Sequence, residues 1–309
     1  QQQPKEALKT RDGKELFHPR KAFVTDEGKS IYYFDYKNME LRVQALYTIL
    51  VNDGDGDLNL CQAFVPFKYK SMFTGEEYDF EKDYNDWDSG EWVDEDGNPW
   101  IAVDVHTAST LQAFPDKSVD DPDFAHYRSL GKRANFAKNY GSGASKIAQS
   151  LRISEELAKA FSDGYYKAFP KIKDYQRYVE DSIYVKGYIE NLFGRRYYFR
   201  ETGNSYKGYN YLIQGFGADL LKLKEIEVDK FLRKGGYKSK MLMVVHDEVQ
   251  VLVEHGEEAI VPKIAEILEN CREYSKYIPM TCDVEVTHTN WADKEGYDGN
   301  LGYAQPKEK

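Results

Sequence analysis

The sequence lacks the long apolar segments that membrane proteins need. No run approaches the roughly 20 apolar residues of a membrane-spanning helix, and the first ten residues contain no apolar signal region. The 309-residue chain is therefore expected to be a soluble, cytoplasmic protein without membrane contact. Its length suits about two domains, and an aromatic content of 15% argues against a disordered chain.

Cysteine is also scarce. Cys61, Cys271 and Cys282 are widely spaced and form no CxxC pair, so the sequence predicts neither a disulfide framework nor a zinc site. A reducing compartment is the expectation. The chain begins with Gln1 rather than methionine, which we interpret as the sign of a processed product or a fragment.

The excess of negative charge is confined to one segment. The net charge is −10, and residues 71–100 alone contain eleven acidic residues and one lysine. This segment predicts a surface insertion with one hairpin, which either docks a basic protein partner or remains a solvated loop. Residues 124–154, in contrast, contain six basic residues and no acidic one, which indicates a phosphate-binding surface.

Hydrophobic patterning predicts a mixture of helices and strands. The expected strands are residues 30–35, 241–245 and 249–253, the last two forming a hairpin, with residues 188–200 extended. The expected helices start near Met39 and cover residues 127–151 with an interruption at 141–143, residues 155–169, 171–185, 210–232 and 262–274.

Two aspartates stand at the edges of apolar strands. Asp35 follows residues 31–34, and Asp247 follows residues 241–245. If these strands are neighbours in one sheet, the two carboxylates lie close together, an arrangement that a bound metal ion makes tolerable. The alternative is that Asp35 caps the next helix and that Asp247 and Glu248 are turn residues.

Four side chains spaced by four residues form one stripe on a predicted helix. Arg128 and Lys132 are cations, and Phe136 and Tyr140 are aromatic. Such a stripe suits a nucleoside triphosphate, with phosphates on the cations and base and sugar on the rings. An ordinary surface helix with a basic edge has the same spacing.

Taken in order, these segments resemble the motifs of family A DNA polymerases. The resemblance covers residues 35–43 (DYKNMELRV, motif A), 104–108 (DVHTA), 128–141 (RxxxKxxNFxxxYG, motif B), 210–219 (NYLIQGFGAD) and 246–248 (HDE, motif C). It implies an α/β (α+β) right-hand fold with an antiparallel palm sheet and helical fingers. The palm would comprise residues 1–115 and 206–309, and the fingers residues 116–205.

The resemblance also assigns roles to individual residues. Asp35, Asp247 and the carbonyl of Tyr36 would bind two Mg²⁺ ions, for which Mn²⁺ can substitute, with Glu248 as a secondary acidic group. Arg128, Lys132 and His106 would hold the dNTP phosphates, and Lys132 would protonate the departing pyrophosphate. Glu40, held by Tyr140, would exclude the ribose 2′-hydroxyl, and Phe136 would disfavour dideoxynucleotides. Primer–template DNA would be contacted by Asn210, Gln214, Arg42 and His246.

The resemblance leaves parts of the family enzyme unaccounted for. The thumb and the 3′–5′ exonuclease are absent from this chain, so a second polypeptide or an upstream region is expected to supply them. The compact core favours a phage source and hence the host cytoplasm. Two rival functions remain, a single-subunit RNA polymerase and a catalytically silent nucleic-acid-binding subunit.

Overall fold

The computed structural model describes ten ranges of the chain. They are residues 8–9, 15–54, 56–61, 63–64, 68–71, 77–79, 92–93, 104–271, 274–275 and 277–297. Most of the acidic segment lies outside them. The chain divides into two compact units, the first made of Gln1–Met39 and Gly217–Lys309 and the second of Glu40–Phe216. These two units divide the chain at other positions than the expected palm and fingers. Contact units and polymerase subdomains are different divisions, so the palm and fingers boundaries stay a prediction.

Strands occur in both units. They are β1 (Leu8–Lys9), β2 (Glu15–Phe17), β3 (Lys29–Tyr36), β4 (Lys68–Ser71), β5 (Glu77–Asp79), β6 (Trp92–Val93), β7 (Tyr188–Glu190), β8 (Arg196–Tyr198), β9 (Lys240–Val245), β10 (Glu248–Glu254), β11 (Cys282–Thr287) and β12 (Glu295–Gly296). The predicted strands near residues 30, 241 and 249 are confirmed as β3, β9 and β10.

Seven of the nine α-helices in the described residues correspond to predicted helices, and the second and third along the chain were not predicted. The nine helices are α1 (Met39–Val51), α2 (Leu58–Cys61), α3 (Val105–Ala113), α4 (Phe124–Asn139), α5 (Ala144–Leu151), α6 (Glu155–Ala168), α7 (Ile172–Lys186), α8 (Gly208–Gly235) and α9 (Val261–Glu269). The predicted interruption near residue 141 is confirmed by the break between α4 and α5. Helix α6 starts where expected because the Ser154 hydroxyl accepts the Leu157 N–H and caps it.

The first unit is built on a five-stranded sheet in the order β12-β11-β3-β10-β9. Every neighbouring pair is antiparallel, as the expected fold class requires. The central strand β3 is rich in aromatic and β-branched residues, which suit a pleated, buried strand. Its residues Ile31–Phe34 are almost fully buried, so the sheet holds β3 rigidly between β10 and β11.

The second unit has a helical core. Apolar side chains of α4, α5 and α6 pack together, namely Leu130, Ala134, Ile147, Ala148, Leu151, Ala158 and Phe161. Strands β7 and β8 form the extended segment predicted at residues 188–200, as an antiparallel hairpin. Strands β4 and β5 pair antiparallel, and β6 pairs with the other edge of β4. The hairpin expected within residues 71–100 stays a prediction, since most of that segment lies outside the described residues.

Several elements differ from the predicted pattern, and helices α2 and α3 and strands β1, β2, β6 and β12 were not predicted. The helix expected to reach Tyr274 ends at Glu269, because the chain turns at Asn270 and the Ser275 hydroxyl accepts the Cys271 N–H at 2.7 Å. In a longer helix the Cys271 N–H would instead donate to the carbonyl oxygen of residue 267. Strand β11 was missed, although its alternating apolar residues Cys282, Val284 and Val286 are a strand pattern.

Candidate active site

The ends of β3 and β10 bring the two predicted metal-binding aspartates together. Asp35 on β3 is in register with Glu248 at the start of β10, and Asp247 precedes Glu248 directly. The Tyr36 N–H donates to the Asp247 carbonyl at 3.2 Å. The strand that precedes Asp247, β9, is not the neighbour of β3, because β10 lies between them. The predicted pairing of those two strands is therefore wrong, and Asp247 instead comes beside β3 through the turn that leads into β10.

His246 occupies a constrained turn position. It is the first of two residues linking β9 to β10 and has a φ of +60°. A positive φ at the first central residue alone is typical of a type II′ turn, a conformation that costs energy for any residue other than glycine. His246 is exposed, and its predicted contact with DNA stays a prediction.

Glu248 belongs to a buried ion cluster. Its carboxylate accepts from Lys294 Nζ at 2.8 Å and from Gln250 Nε2 at 2.7 Å. Lys294 also bonds to Glu285, and its ammonium lies 5.0 Å from the ring centre of Tyr33. Burial lowers the pKa of Lys294, but the two carboxylates outweigh it and the pKa is raised. Lys294 is therefore a fixed positive charge that holds Glu248.

Protein side chains alone do not complete a metal site in the part of the chain that the structure describes. No three His, Cys, Asp or Glu side chains there lie close enough to hold an ion. Asp35, Asp247 and the Tyr36 carbonyl nevertheless offer oxygen donors, which suit Mg²⁺. This ion is commonly held by one or two carboxylates together with substrate phosphates, so the donor set fits an ion that arrives with a phosphate ligand.

The predicted basic and aromatic stripe lies on α4 and its C-terminal cap. Arg128 and Phe136 are half-buried, whereas Lys132 and Tyr140 are exposed. Two guanidinium contacts hold Arg128 against the Asp104 carboxylate, at 3.2 Å from Nε and 3.0 Å from a terminal nitrogen. A bidentate pair of this kind fixes the direction of the guanidinium.

Asp104 also begins α3. Its carboxylate accepts the N–H groups of His106 and Thr107 and the Thr107 hydroxyl. Burial raises the pKa of Asp104, but the Thr107 hydrogen bond and Arg128 lower it by more, so the net shift is downward. One ionised carboxylate therefore caps α3 and aligns Arg128 on α4.

His106 is buried between α3 and α4. Its Nδ1 lies 3.1 Å from Asn135 Nδ2, and its ring centre is 5.6 Å from that of Phe136. Burial lowers the pKa of His106 to about 4, since the opposing effect of Asp104 is smaller and Lys132 and Arg128 act in the same direction as burial. The ring is therefore neutral at pH 7.

Glu40 and Tyr140 form the contact that the sequence predicts for the sugar gate. The Tyr140 hydroxyl donates to the Glu40 carboxylate at 3.0 Å. Burial, followed by the Glu40 charge, raises the pKa of Tyr140, so the hydroxyl keeps its proton. The predicted gate residues therefore meet within the second unit.

The residues predicted to contact DNA lie in different settings. Asn210 and Gln214 are one turn apart on α8 and share a hydrogen bond of 3.1 Å. Arg42 on α1 is buried, with its guanidinium 4.9 Å from the ring centre of Phe64. Their contacts with DNA stay predictions.

Sequence reasoning missed several side chains that shape the site. Asp104, Asn135 and Lys294 each hold a predicted site residue in place. Asp104 and Asn135 lie within segments that resemble the family motifs. Asp104 could have been recognised as the N-cap of α3, because aspartate is favoured at that position. Lys294 gave no signal, since only the tertiary fold brings it to Glu248, 46 positions away in the sequence.

Comparison with known proteins finds similar sequences over most of the chain. A model of the family described as DNA polymerase family A matches residues 4–293. DNA polymerase I of Streptococcus pneumoniae is 37% identical over 164 residues, which cover 50% of this chain and 19% of the relative. The thermostable DNA polymerase I of Thermus thermophilus is 28% identical over 289 residues, 90% of this chain and 28% of the relative.

A solved structure has the same fold. The POL domain of Pol1 from M. smegmatis, in complex with DNA primer-template and dNTP, matches with a TM-score of 0.64 and 26% identity, covering 88% of this chain and 42% of that one. The chain spans less than a third of the length of the curated relatives named above. Within the described ranges, each helix is too short or too polar to cross a membrane.

Proposed function

Because the chain belongs to DNA polymerase family A, we propose that it is the polymerase part of such an enzyme and adds deoxynucleotides to a primer 3′-hydroxyl under the direction of a template. The junction of β3 and β10, where Asp35 and Asp247 stand at adjacent strand ends, carries this proposal. The similar POL domain in complex with primer-template and dNTP supports it.

Asp35, Asp247 and the Tyr36 carbonyl would hold two Mg²⁺ ions, or Mn²⁺ in their place. Bound there, the ions would lower the pKa of the primer 3′-hydroxyl and neutralise charge that develops on the triphosphate. The rigid ends of β3 and β10 keep the aspartates in position without the substrate. Glu248 adds negative charge at the same strand end, and Lys294 keeps its carboxylate from moving.

The triphosphate would bind to the cationic part of the α4 stripe. Arg128 and Lys132 supply charge, and His106 supplies a neutral hydrogen-bond donor because its pKa is about 4. Lys132 is exposed and a lysine side chain carries three donor hydrogens, so it would bind a phosphate oxygen and then protonate the departing pyrophosphate. Arg128 is already oriented by Asp104, which lowers the entropy cost of binding.

The sugar would be selected by Glu40 and Phe136. The Tyr140 hydroxyl holds the Glu40 carboxylate, and a carboxylate in the space of a 2′-hydroxyl excludes ribonucleotides. Phe136 has no hydroxyl to replace a missing 3′-hydroxyl, so dideoxynucleotides are disfavoured. The enzyme therefore prefers dNTPs.

The duplex would be contacted near the growing end by Asn210, Gln214, Arg42 and His246. Amide and cationic side chains can donate to minor-groove acceptors that all correct base pairs share. Such contacts test the shape of a pair rather than its sequence. Phosphate contacts supply most of the affinity for duplex DNA, so a thumb and exonuclease from an upstream region or a second polypeptide would strengthen binding.

The acidic segment at residues 71–100 would face away from DNA and dock a basic protein partner. Deleting residues 73–98 would then leave extension by the chain alone intact and weaken extension only when replication partners are present. Unchanged extension in both settings would contradict the docking role. A phage source would place these events in the host cytoplasm.

Primer extension tests the proposed activity. The wild-type chain with a primed template and Mg²⁺ is expected to add dNTPs in preference to NTPs, and Asp35→Asn is expected to abolish the addition. A matched control is Asp283→Asn, which removes the carboxylate in register with Asp35 on β11. Extension by Asp35→Asn at the wild-type rate would refute the assignment, and preference for NTPs would favour an RNA polymerase.

A further inference from the structure

The side chain of Asn135 is placed to control the protonation pattern of His106. Asn135 on α4 and Ser109 on α3 are both almost fully buried. The Asn135 side-chain nitrogen lies 2.7 Å from Ser109 Oγ and 3.1 Å from His106 Nδ1. One amide nitrogen therefore contacts both groups, and it carries two hydrogens for them.

The direction of each hydrogen bond follows from the group at its far end. The Ser109 hydroxyl donates to the His106 carbonyl oxygen at 3.1 Å, and its oxygen accepts from the Asn135 amide nitrogen at 2.7 Å. Toward Asn135, Ser109 can then only accept. The nitrogen end of the Asn135 amide faces this cluster.

This orientation determines where the imidazole proton resides. The second hydrogen of the Asn135 amide points to His106 Nδ1, which can accept it only if it carries no proton. A neutral imidazole has one proton, so it must be on Nε2. The low pKa of His106, about 4, keeps the ring neutral and thus consistent with this single pattern.

We propose that Asn135 is a positioning residue that holds His106 as the neutral Nε2–H tautomer, so that His106 offers one N–H donor to a phosphate oxygen. This inference rests on the proposed function for the identity of the acceptor, a nucleoside triphosphate. The tautomer itself follows from contacts within the chain and does not depend on the identity of the acceptor. The two parts can therefore be tested separately.

Nitrogen NMR measures the tautomer directly. The full-length chain is labelled with ¹⁵N-histidine, and two-bond ¹H–¹⁵N correlations are recorded at neutral pH, with His106→Gln identifying the His106 signals. The expected pattern has an unprotonated Nδ1 and a protonated Nε2. A protonated Nδ1, or an average of the two tautomers, in the wild-type chain would overturn the proposal.

Asn135→Asp changes the chemistry with little change of shape. A carboxylate only accepts, so it favours a proton on His106 Nδ1, and the signals should change to the Nδ1–H form or to the imidazolium. Asn139→Asp is the matched control, because Asn139 is buried on the same helix and its oxygen accepts from the Tyr165 hydroxyl at 2.8 Å. Its His106 signals should equal those of the wild type.

Ser109→Ala provides a second variant that adds no buried charge. It removes the acceptor that orients the Asn135 amide, so the amide can rotate and the His106 tautomers should mix. Unchanged His106 signals in both Asn135→Asp and Ser109→Ala would refute the positioning role. The wild-type spectrum decides the tautomer even if one variant fails to fold.

Steady-state extension tests the acceptor. With dTTP as the varied substrate, Asn135→Asp in the Nδ1–H form should raise KM about 10-fold or more, the effect of a lost hydrogen bond to a charged group. In the imidazolium form, which keeps the Nε2–H and gains a positive charge, Asn135→Asp should lower KM. Asn139→Asp should leave KM unchanged. Equal KM values for Asn135→Asp and the wild type would overturn the phosphate-donor role although the polymerase works. Absence of extension by the wild type would instead contradict the proposed function, and the NMR pattern would still report the tautomer.

Discussion

The main-chain nitrogen of Tyr36 donates a hydrogen bond to the carbonyl oxygen of Asp247 across a distance of 3.2 Å. This bond continues the β3–β10 ladder one step past the pairing of Asp35 with Glu248. Both predicted metal-binding carboxylates are thus attached to main chain that is already hydrogen-bonded. Because the main chain at both aspartates is already fixed by hydrogen bonds, the backbone there would need no reorganisation on substrate binding.

Asp247→Asn tests this site. The amide has the size of the carboxylate but no charge, so it should reduce primer extension by two orders of magnitude or more, roughly the loss of several kcal/mol of charge stabilisation. Single-turnover extension with saturating primer–template gives the rate. Circular dichroism should show an unchanged fold.

The control for Asp247→Asn is Asp283→Asn. Asp283 lies on β11 opposite Asp35, but its carboxylate pairs with Lys37 at 2.8 Å and is exposed. Exposed ion pairs contribute little, so extension should stay within about threefold of the wild type. If the two variants lose activity equally, the sheet edge as a whole rather than Asp247 is responsible.

Glu40→Ala should open the sugar gate. Removing the carboxylate that Tyr140 holds at 3.0 Å leaves space for a 2′-hydroxyl, so the ratio of NTP to dNTP incorporation should rise, by about 10-fold or more if one steric exclusion of 1.4 kcal/mol is lost. Glu40→Gln keeps the volume and should stay closer to the wild type. An unchanged ratio in Glu40→Ala would remove Glu40 from sugar selection.

Much of the fold was predictable because its signals are local. The aromatic strand β3 and the helix that begins at Met39 follow directly from hydrophobic periodicity. The meeting of Glu40 with Tyr140, 100 positions apart, followed only from the family resemblance. Local patterns carry no information on such long-range pairs.

Other features could not be predicted because they depend on contacts between distant residues or on which acceptor takes a particular hydrogen bond. Lys294 reaches Glu248 across 46 positions, and nothing in the residues around Lys294 indicates a partner. The amide orientation of Asn135 depends on which acceptor the Ser109 hydroxyl donates to, and here it donates to the His106 carbonyl oxygen. The end of α9 at Glu269 was also missed, since a hydroxyl beyond the helix accepts the N–H that would have continued it.

Gly164→Ala should destabilise the second unit. A Cβ at this position would lie 2.6 Å from the backbone nitrogen and 2.7 Å from the Cα of Ala113, so α6 could not pack as closely on α3. Overpacking of this kind costs about 1–3 kcal/mol. Urea unfolding measures the change, and Gly203→Ala, where a Cβ meets nothing within 4 Å, should stay within about 0.5 kcal/mol.

Asp57 should make the stability of the protein depend on pH. Its carboxylate is almost fully buried and accepts the N–H groups of Leu60 and Lys171 at 3.1 and 2.8 Å. Burial raises its pKa from 3.8 to about 6, because the two hydrogen bonds compensate only in part. Between these values the native state holds a proton that the unfolded state has released, so stability must fall as the pH rises.

The effect of Asp57 can be isolated with Asp57→Asn. A shift of about two pKa units corresponds to roughly 3 kcal/mol, so from about pH 4 to pH 6 the wild type should lose up to that amount relative to the variant. Urea unfolding at intervals of half a pH unit gives both curves. Asp120→Asn, at an exposed position, should run parallel to the wild type, and parallel curves for Asp57→Asn would show that its carboxyl group ionises without cost in the native state.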